Sequence, residues 1–317
     1  MRQGYRIGIL LTLILVFAAC FMFYNVDTNN LDYVLSRRGI RLATILVVGI
    51  SVAFSSVIFQ TITNNRILTP SIMGYESVFI LFQTIIVFFY GDNTFKVISQ
   101  QANFFYAVGL MLLFSIGMYL LIFGKEKKNI FYLLLLGMVL GTLFMTLSQF
   151  MHILIDPNQF SIVQNYMFVS FAKMNTKLLT IASVTLGATV IYVIPYLKYL
   201  DVIALGKEHA INLGLDYHKL VRKFMLVISL LVSVSTALVG PITFLGILVA
   251  NLTYELFMTN KHRAMVWLSA GLACVFLVLG QFLVEHVFSF STSVSIIINF
   301  IGGLYFMYLI LKSRKGI

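Results

Sequence analysis

The chain has 317 residues, of which 60% are hydrophobic and 10% are charged. Soluble domains contain roughly 25% charged residues, so this composition excludes a soluble globular protein, a disordered tail and a collagen-like fibre. The formal net charge of +11 does not indicate nucleic-acid binding, because the charges are too sparse and too dispersed to follow a phosphate backbone.

Long apolar runs fill most of the chain. A bilayer core of about 30 Å requires roughly 20 apolar residues per helix, and ten stretches meet or approach this length. Their length and their lack of apolar–polar alternation favour helices over strands. The sequence therefore predicts an all-α integral membrane protein that forms a single polytopic transmembrane domain over residues 1–317. The predicted spans are 7–24, 42–60, 72–90, 104–123, 130–154, 178–196, 224–239, 242–257, 264–284 and 294–311.

Positive charges predict the orientation of these spans. With the N-terminus placed in the cytoplasm, 16 of the 22 Lys and Arg residues fall on the inner side, as the positive-inside rule favours. This distribution predicts two cytoplasmic termini and an even number of spans. The first run follows Arg2 and Arg6 but precedes no small-residue cleavage site, so we expect a retained span rather than a signal peptide.

The predicted span centres contain no acidic or basic residue. Glu76 and Glu255 are expected near cytoplasmic span ends, and Glu285 near an outer end. Ion-coupled transporters keep intramembrane charges for their ions, so this pattern argues against a secondary transporter. Cys20 and Cys274 lie inside apolar runs, which predicts neither a disulfide nor a metal site. The five histidines are too scattered for a membrane-embedded enzyme, and no catalytic residue is predicted.

The largest predicted inner loop covers residues 198–223. Between Gly206 and Gly214 it contains a short, weakly amphipathic segment, and glycine tolerates the backbone angles at which a helix stops. Two interpretations remain open from this pattern. The segment is either an ordinary interfacial helix with basic ends or an element that receives force from a cytoplasmic partner. Ala210 is small enough for a partner backbone to approach it closely.

The spacing of Leu205-Gly206, Ala210 and Leu213-Gly214 resembles the ATPase-coupling loop of the iron-siderophore and vitamin B12 ABC importer permeases, the FecCD family. Residues 38–43 resemble the Arg-x-Pro-Arg-x-x-Ala signature of that family, with Ile40 in place of the proline. Four signatures occur in the family's order, and the resemblance extends over nearly the whole chain.

The other two signatures occur later in the chain and also depart from the usual pattern. Residues 60–74 resemble the family's Gln … Asn-Pro-Leu-Ala-x-Pro … Leu-Gly segment, with Arg66 in place of its first proline. Residues 240–246 resemble Gly-x-Ile-x-Phe-x-Gly, and Asn251 stands where a Pro-His pair is usual. These departures resemble the catecholate-siderophore (petrobactin/enterobactin-like) branch, in which two different permeases commonly pair.

The resemblance implies a permease of type II ABC importer fold in a bacterial cytoplasmic membrane. It implies a ferric siderophore as cargo, with haem or vitamin B12 as the alternative. The expected partners are a second permease, homologous or identical, a cytoplasmic ATPase dimer and an external siderophore-binding lipoprotein. Because the chain contains no G-x-x-x-x-G-K-[ST] motif, ATP and Mg²⁺ are expected on the partner ATPase, and no cofactor or metal is expected on this chain.

The resemblance also implies roles for particular residues. Outer-face arginines would dock acidic residues of the binding protein, because a guanidinium binds a carboxylate in bidentate fashion. These are Arg37, Arg38 and Arg41. The residues implied in ATPase coupling are Leu205, Gly206, Lys207, Glu208, His209, Ala210, Leu213 and Gly214.

We expect the fifth span and the outer segment that follows it to line the substrate pathway. Methionines there would offer a soft, weakly binding surface, although core packing explains them equally well. The candidates are Met138, Met145, Gln149, Tyr166, Met167 and Met174. Gly137 and Gly141 form a G-x-x-x-G pattern, which admits close approach of a neighbouring segment. A siderophore is large, so two permeases are expected to enclose it together.

Overall fold

The computed structural model describes residues 2–26, 30–123, 130–171, 175–259 and 261–314, and within these ranges it contains helices and no strand. The helices are α1 (Arg2–Phe23), α2 (Leu31–Ile62), α3 (Tyr75–Tyr90), α4 (Thr94–Val97), α5 (Gln100–Phe123), α6 (Ile130–Leu154), α7 (Pro157–Met167), α8 (Thr176–Val193), α9 (Leu200–Ile203), α10 (Lys207–Asn212), α11 (Tyr217–Val239), α12 (Leu245–Phe257), α13 (His262–His286) and α14 (Val294–Arg314).

In the described part of the chain, nine helical segments are long and apolar enough to cross a membrane. The remaining predicted span, 242–257, corresponds to α12, a shorter apolar helix. The prediction of an all-α polytopic membrane protein is therefore confirmed.

Three helices form the centre of the bundle. α2 packs along α13 on one side and along α11 on another, and these three are the most buried of the long helices. α1 and α14 lie at the periphery and expose most of their apolar surface. Buried hydroxyls in the central helices donate to carbonyls of the preceding turn, as Ser51 does to Val47 and Ser235 does to Leu231. This satisfies polar groups where no water is available.

The α11–α12 connection, residues 240–244, lies at mid-height of the bundle and interrupts the helical path of the chain. Gly240 has φ +101°, a conformation that favours glycine. Phe244 packs against the middle of α14, where a Cβ on Gly302 would lie 2.7 Å from the Cβ of Phe244. α12 therefore begins halfway through the bundle, which explains why it is shorter than the other spans.

The α2–α3 connection, residues 63–74, also rises to mid-height. Gly74, at φ +85°, packs against Gly137 and Gly141 in the middle of α6, and a Cβ on Gly137 would lie 2.8 Å from the Cα of Met73. The G-x-x-x-G pattern thus admits the 3₁₀ turn Pro70–Met73 and Gly74 at the point where α3 begins to pack along α6. Non-helical backbone at this depth is tolerated because protein surrounds it.

This connection overturns the expected position of Glu76. The sequence placed Glu76 near a cytoplasmic span end, but it lies in the first turn of α3, next to Gly74 at the middle of α6. Its carboxylate bonds to Thr243 in the α11–α12 connection. An acidic residue and a broken helix therefore do occur at mid-depth. Hydropathy missed both because the run from Ile72 reads as one continuous span.

Candidate functional site

One end of the bundle, predicted to be the outer end, contains an open pocket of about 480 Å³ beside the start of α2. The three arginines implied in docking all line it, so the structure brings them together. The complete lining is Tyr33, Val34, Arg37, Arg38, Arg41, Glu285, His286 and Phe290.

The three arginines differ in what their guanidinium groups contact. Arg38 is buried, and its Nη1 donates to the carbonyls of Phe21 at 3.2 Å, Met22 at 3.0 Å and Tyr24 at 2.8 Å. Carbonyls at a helix C-terminus have no partner within the helix, so Arg38 satisfies the end of α1. This contact holds α1 against α2 and leaves little of Arg38 for an external partner.

Arg41 is held by an ion pair inside the same pocket. Its Nη1 lies 2.8 Å from Glu285 Oε1 at the end of α13, and the Glu285 side chain is almost fully buried. Gln281 donates a second hydrogen bond of 2.7 Å to the same carboxylate oxygen. A buried carboxylate needs such partners, so the pair joins α2 to α13.

Arg37 is the exposed member of the group. Its guanidinium lies 5.4 Å from the ring centre of Tyr33, a contact that leaves its donors accessible. The sequence treated the three arginines as equivalent. The structure distinguishes them, because two bind groups of this chain and the third faces outward.

At the other end of the bundle, α9 and α10 form a compact loop in which α10 lies between two glycines. Gly206 has φ +102° and Gly214 has φ +81°, and both conformations strain other residues. A Cβ on either glycine would meet nothing within 4 Å, so space is open at both positions. Leu205 is 59% exposed and Leu213 is 63% exposed.

Ala210 lies on the opposite side of this turn from the exposed leucines. It is fully buried, on a helix that packs against α9 and α11. The expectation that Ala210 admits a partner backbone is not what the structure indicates, because its methyl group faces its own protein. The polar candidates Lys207, Glu208 and His209 are exposed.

Two acidic side chains join this loop to central helices. Asp201 in α9 accepts hydrogen bonds from the backbone nitrogen of His262 at 2.8 Å and from its ring Nδ1 at 2.7 Å. Asp216 caps α11 by accepting from the backbone nitrogen of Lys219 at 3.2 Å. The hydrogen bond from the Lys219 side chain lowers the pKa of Asp216, so the cap stays ionised at neutral pH.

α13 connects the two ends of the molecule. It begins at His262, which Asp201 holds, and its last turn contains Glu285, which binds Arg41. At a rise of about 1.5 Å per residue it is roughly 37 Å long, enough to cross a bilayer. A single helix therefore links the α9–α10 loop to the arginine pocket.

The pathway candidates do not form one site. Met138 lies on an exposed apolar face of α6, and Gln149 is also exposed. Met145, Tyr166 and Met167 are partly buried and pack against the core. Met174 lies outside the described residues. The α6 face consists of Met138, Val139, Thr142, Leu143, Thr146, Leu147 and Phe150.

Sequence reasoning missed the partners of these residues. The sequence predicted Glu285 near the outer end, which is also the side predicted for Arg41. This shared side was the one sequence signal that could have suggested their ion pair. Nothing in the sequence pairs Asp201 with His262. Among the described residues, no group of three or more His, Cys, Asp or Glu side chains could hold a metal ion.

Comparison with known proteins gives a consistent result. The profile of the FecCD transport family matches residues 7–312. The chain is 50% identical over 316 residues to the petrobactin import system permease protein YclO of Bacillus subtilis (strain 168), covering 100% of both chains. It is 31% identical over 289 residues to the petrobactin import system permease protein FatC of Bacillus anthracis, covering 91% of this chain and 82% of the relative.

The fold also matches a solved structure. An inward-facing conformation of a metal-chelate type ABC transporter superposes with a TM-score of 0.85, at 20% sequence identity, over 98% of this chain and 99% of that chain. At this identity the likeness establishes the shared architecture.

Proposed function

The chain belongs to the FecCD transport family, and we propose that it is the permease of an ABC importer that carries a ferric siderophore of the petrobactin class across the bacterial cytoplasmic membrane. The identity of 50% with a petrobactin permease over both full lengths is the observation that supports this substrate. The second petrobactin permease at 31% identity adds to it. Haem and vitamin B12 are the alternative cargoes within the family resemblance.

A second permease would complete the pathway. The α6 face is exposed and apolar, and the hydroxyls of its two threonines bond to their own helix, Thr142 to Met138 and Thr146 to Thr142. Such a face offers weak, non-directional contacts, which suit a cargo that must leave again. We assign it to the cavity between two permeases, and a homologous second chain is the favoured partner.

The arginine pocket would receive the external binding protein. Arg37 is the residue whose donors remain accessible, so it forms the ion pair with an acidic residue of that protein. Charge pairs at an interface rim chiefly set orientation and association rate. Arg38 and Arg41 maintain the pocket by holding α1 and α13 in place.

The α9–α10 loop would contact the ATPase. Leu205 and Leu213 are large apolar side chains exposed on a short loop, and exposed apolar clusters mark interaction sites. Gly206 and Gly214 give the loop its shape and leave room for a partner surface. ATP hydrolysis takes place on the ATPase, and movement of the loop reaches α13 through Asp201 and His262.

Reconstituted transport tests this proposal. The chain is placed in proteoliposomes with its second permease, ATPase and binding protein, and uptake of radiolabelled ferric petrobactin is measured. We expect uptake that requires ATP, survives a protonophore and is not competed by haem or vitamin B12. Uptake of haem or B12 in place of the siderophore would overturn the substrate, and loss of uptake with the protonophore while ATP lasts would overturn the energy source.

A further inference from the structure

A small polar cavity lies at mid-height of the bundle, between the α2–α3 connection and the α11–α12 connection. Its volume is about 20 Å³, which is enough for one water-sized occupant. Glu76 is its acidic residue. The complete lining is Val52, Ser55, Ser56, Thr69, Pro70, Ser71, Glu76, Val232, Ser235, Thr236, Gly240, Ile242 and Thr243.

Four hydroxyl groups of the lining donate their hydrogens to other groups of the chain. Ser71 donates its hydroxyl hydrogen to Glu76 Oε1 at 2.7 Å, and Thr243 donates to Glu76 Oε2 at 2.8 Å. Ser235 donates to the carbonyl of Leu231 at 2.7 Å, and Ser55 donates to the carbonyl of Val52 at 3.1 Å. These hydroxyl hydrogens are already used, so the lone pairs remain for an occupant.

The charge of the lining is unbalanced whenever Glu76 is ionised. Glu76 is the ionisable residue among the residues that line the cavity, and no Lys, Arg or His is part of that set. An ionised carboxylate at bilayer depth is unfavourable unless a partner charge accompanies it. One positive charge restores neutrality, whereas a divalent ion would leave an excess charge of the opposite sign in the same low-dielectric surroundings.

We propose that this cavity is a sodium site, with the Glu76 carboxylate and the hydroxyl oxygens of Ser71 and Thr243 as ligands. Hard cations prefer oxygen ligands of this kind, and the cavity has room for a single small ion. The ligands come from both connections, so the bound ion joins the two breaks of the bundle. The site is a property of this chain alone and does not rest on the proposed cargo or partners.

Thermal unfolding in defined salts tests the site. The permease, assembled with its partner permease and ATPase in lipid nanodiscs, is melted in sodium, potassium or choline chloride at equal ionic strength. We expect a saturable rise of Tm with sodium, a smaller rise with potassium, and none with choline. Glu76→Gln should abolish the sodium effect. Glu255→Gln, which neutralises an exposed acid on α12, is the matched control and should retain it.

Equal Tm values in sodium and choline would overturn the site, because a protonated Glu76 or a single bound water would give that result. An equal sodium effect in Glu76→Gln and the parent would also overturn it. Thr243→Val and Ser71→Ala each remove one ligand oxygen. They replace Glu76→Gln in the test if that variant does not assemble. Both should weaken sodium binding, measured by sodium NMR line broadening, by several-fold, and unchanged affinity in both would contradict the assignment.

Discussion

At the residue scale, the arginine pocket shows how neighbouring residues of one type acquire different roles. Arg38 satisfies three carbonyls at the end of α1, and Arg41 neutralises Glu285. Arg37 is exposed. The sequence indicated three arginines at one helix start, but their separate partners come from α1 and α13, which are distant in the chain.

Reversing the exposed arginine should weaken docking of the binding protein. For Arg37→Glu we expect association to slow by about tenfold at low salt and less at high salt, because salt screens rim charges. Surface plasmon resonance on nanodisc-embedded complex measures this. Lys96→Glu makes the same charge change at an exposed position on α4, which is predicted to lie on the same membrane side, and should have a smaller effect. An identical loss in both variants would contradict a specific role for Arg37.

At the element scale, the α9–α10 loop presents one face outward and one inward. Leu205 and Leu213 are exposed, whereas Ala210 is buried between α9 and α11. The loop therefore has an exposed apolar face and a packing face within one short turn. Because Asp201 accepts a hydrogen bond from the first residue of α13, the α9–α10 loop is attached to the central helices.

Substitutions on these two faces should have different consequences. Leu213→Asp should abolish siderophore uptake and ATPase binding while the protein remains folded, because an exposed position tolerates a charge. Asn212→Asp adds the same charge at a neighbouring exposed position and should transport normally. Uptake assays and co-purification of the ATPase measure both, and similar behaviour of the two variants would count against an apolar contact at Leu213.

Enlarging the buried face should instead destabilise the permease. Ala210→Leu places extra volume in a packed site, which costs about 1–3 kcal/mol, so we expect a lower Tm and a smaller amount of protein in the membrane. Normal stability with lost transport would show that Ala210 contacts the partner after all.

At the scale of the whole molecule, the α2–α3 and α11–α12 connections meet at mid-height and determine the interior. The α2–α3 connection rests on Gly137 and Gly141 of α6, and the α11–α12 connection rests on Gly302 of α14. Their junction is closed by the Thr243–Glu76 hydrogen bond of 2.8 Å. Small residues at these places let non-helical backbone approach a helix closely.

A methyl group at the first of these contacts should disturb the whole bundle. In Gly137→Ala the new Cβ would lie 2.8 Å from the Cα of Met73, so backbone must shift and we expect a loss of about 1–3 kcal/mol of stability. In Gly117→Ala on α5 the new Cβ meets nothing within 4 Å, and stability should be unchanged or slightly higher. Thermal unfolding of the two purified variants measures this difference. Equal Tm values would contradict the close contact between Gly137 and Met73.

The sequence by itself determined the membrane class, the helical fold and the family, because hydropathy and short signatures are local properties of the chain. The tertiary structure alone decided the depth of Glu76, the inward direction of Ala210 and the partners of Arg38 and Arg41. Each of these depends on where a non-helical connection rises or on which distant helix lies alongside. Hydropathy averages over a window and does not register a helix that begins halfway through the bundle, so the polar junction at Glu76 emerged only from the packing of α3 against α6 and from the hydrogen bond with Thr243.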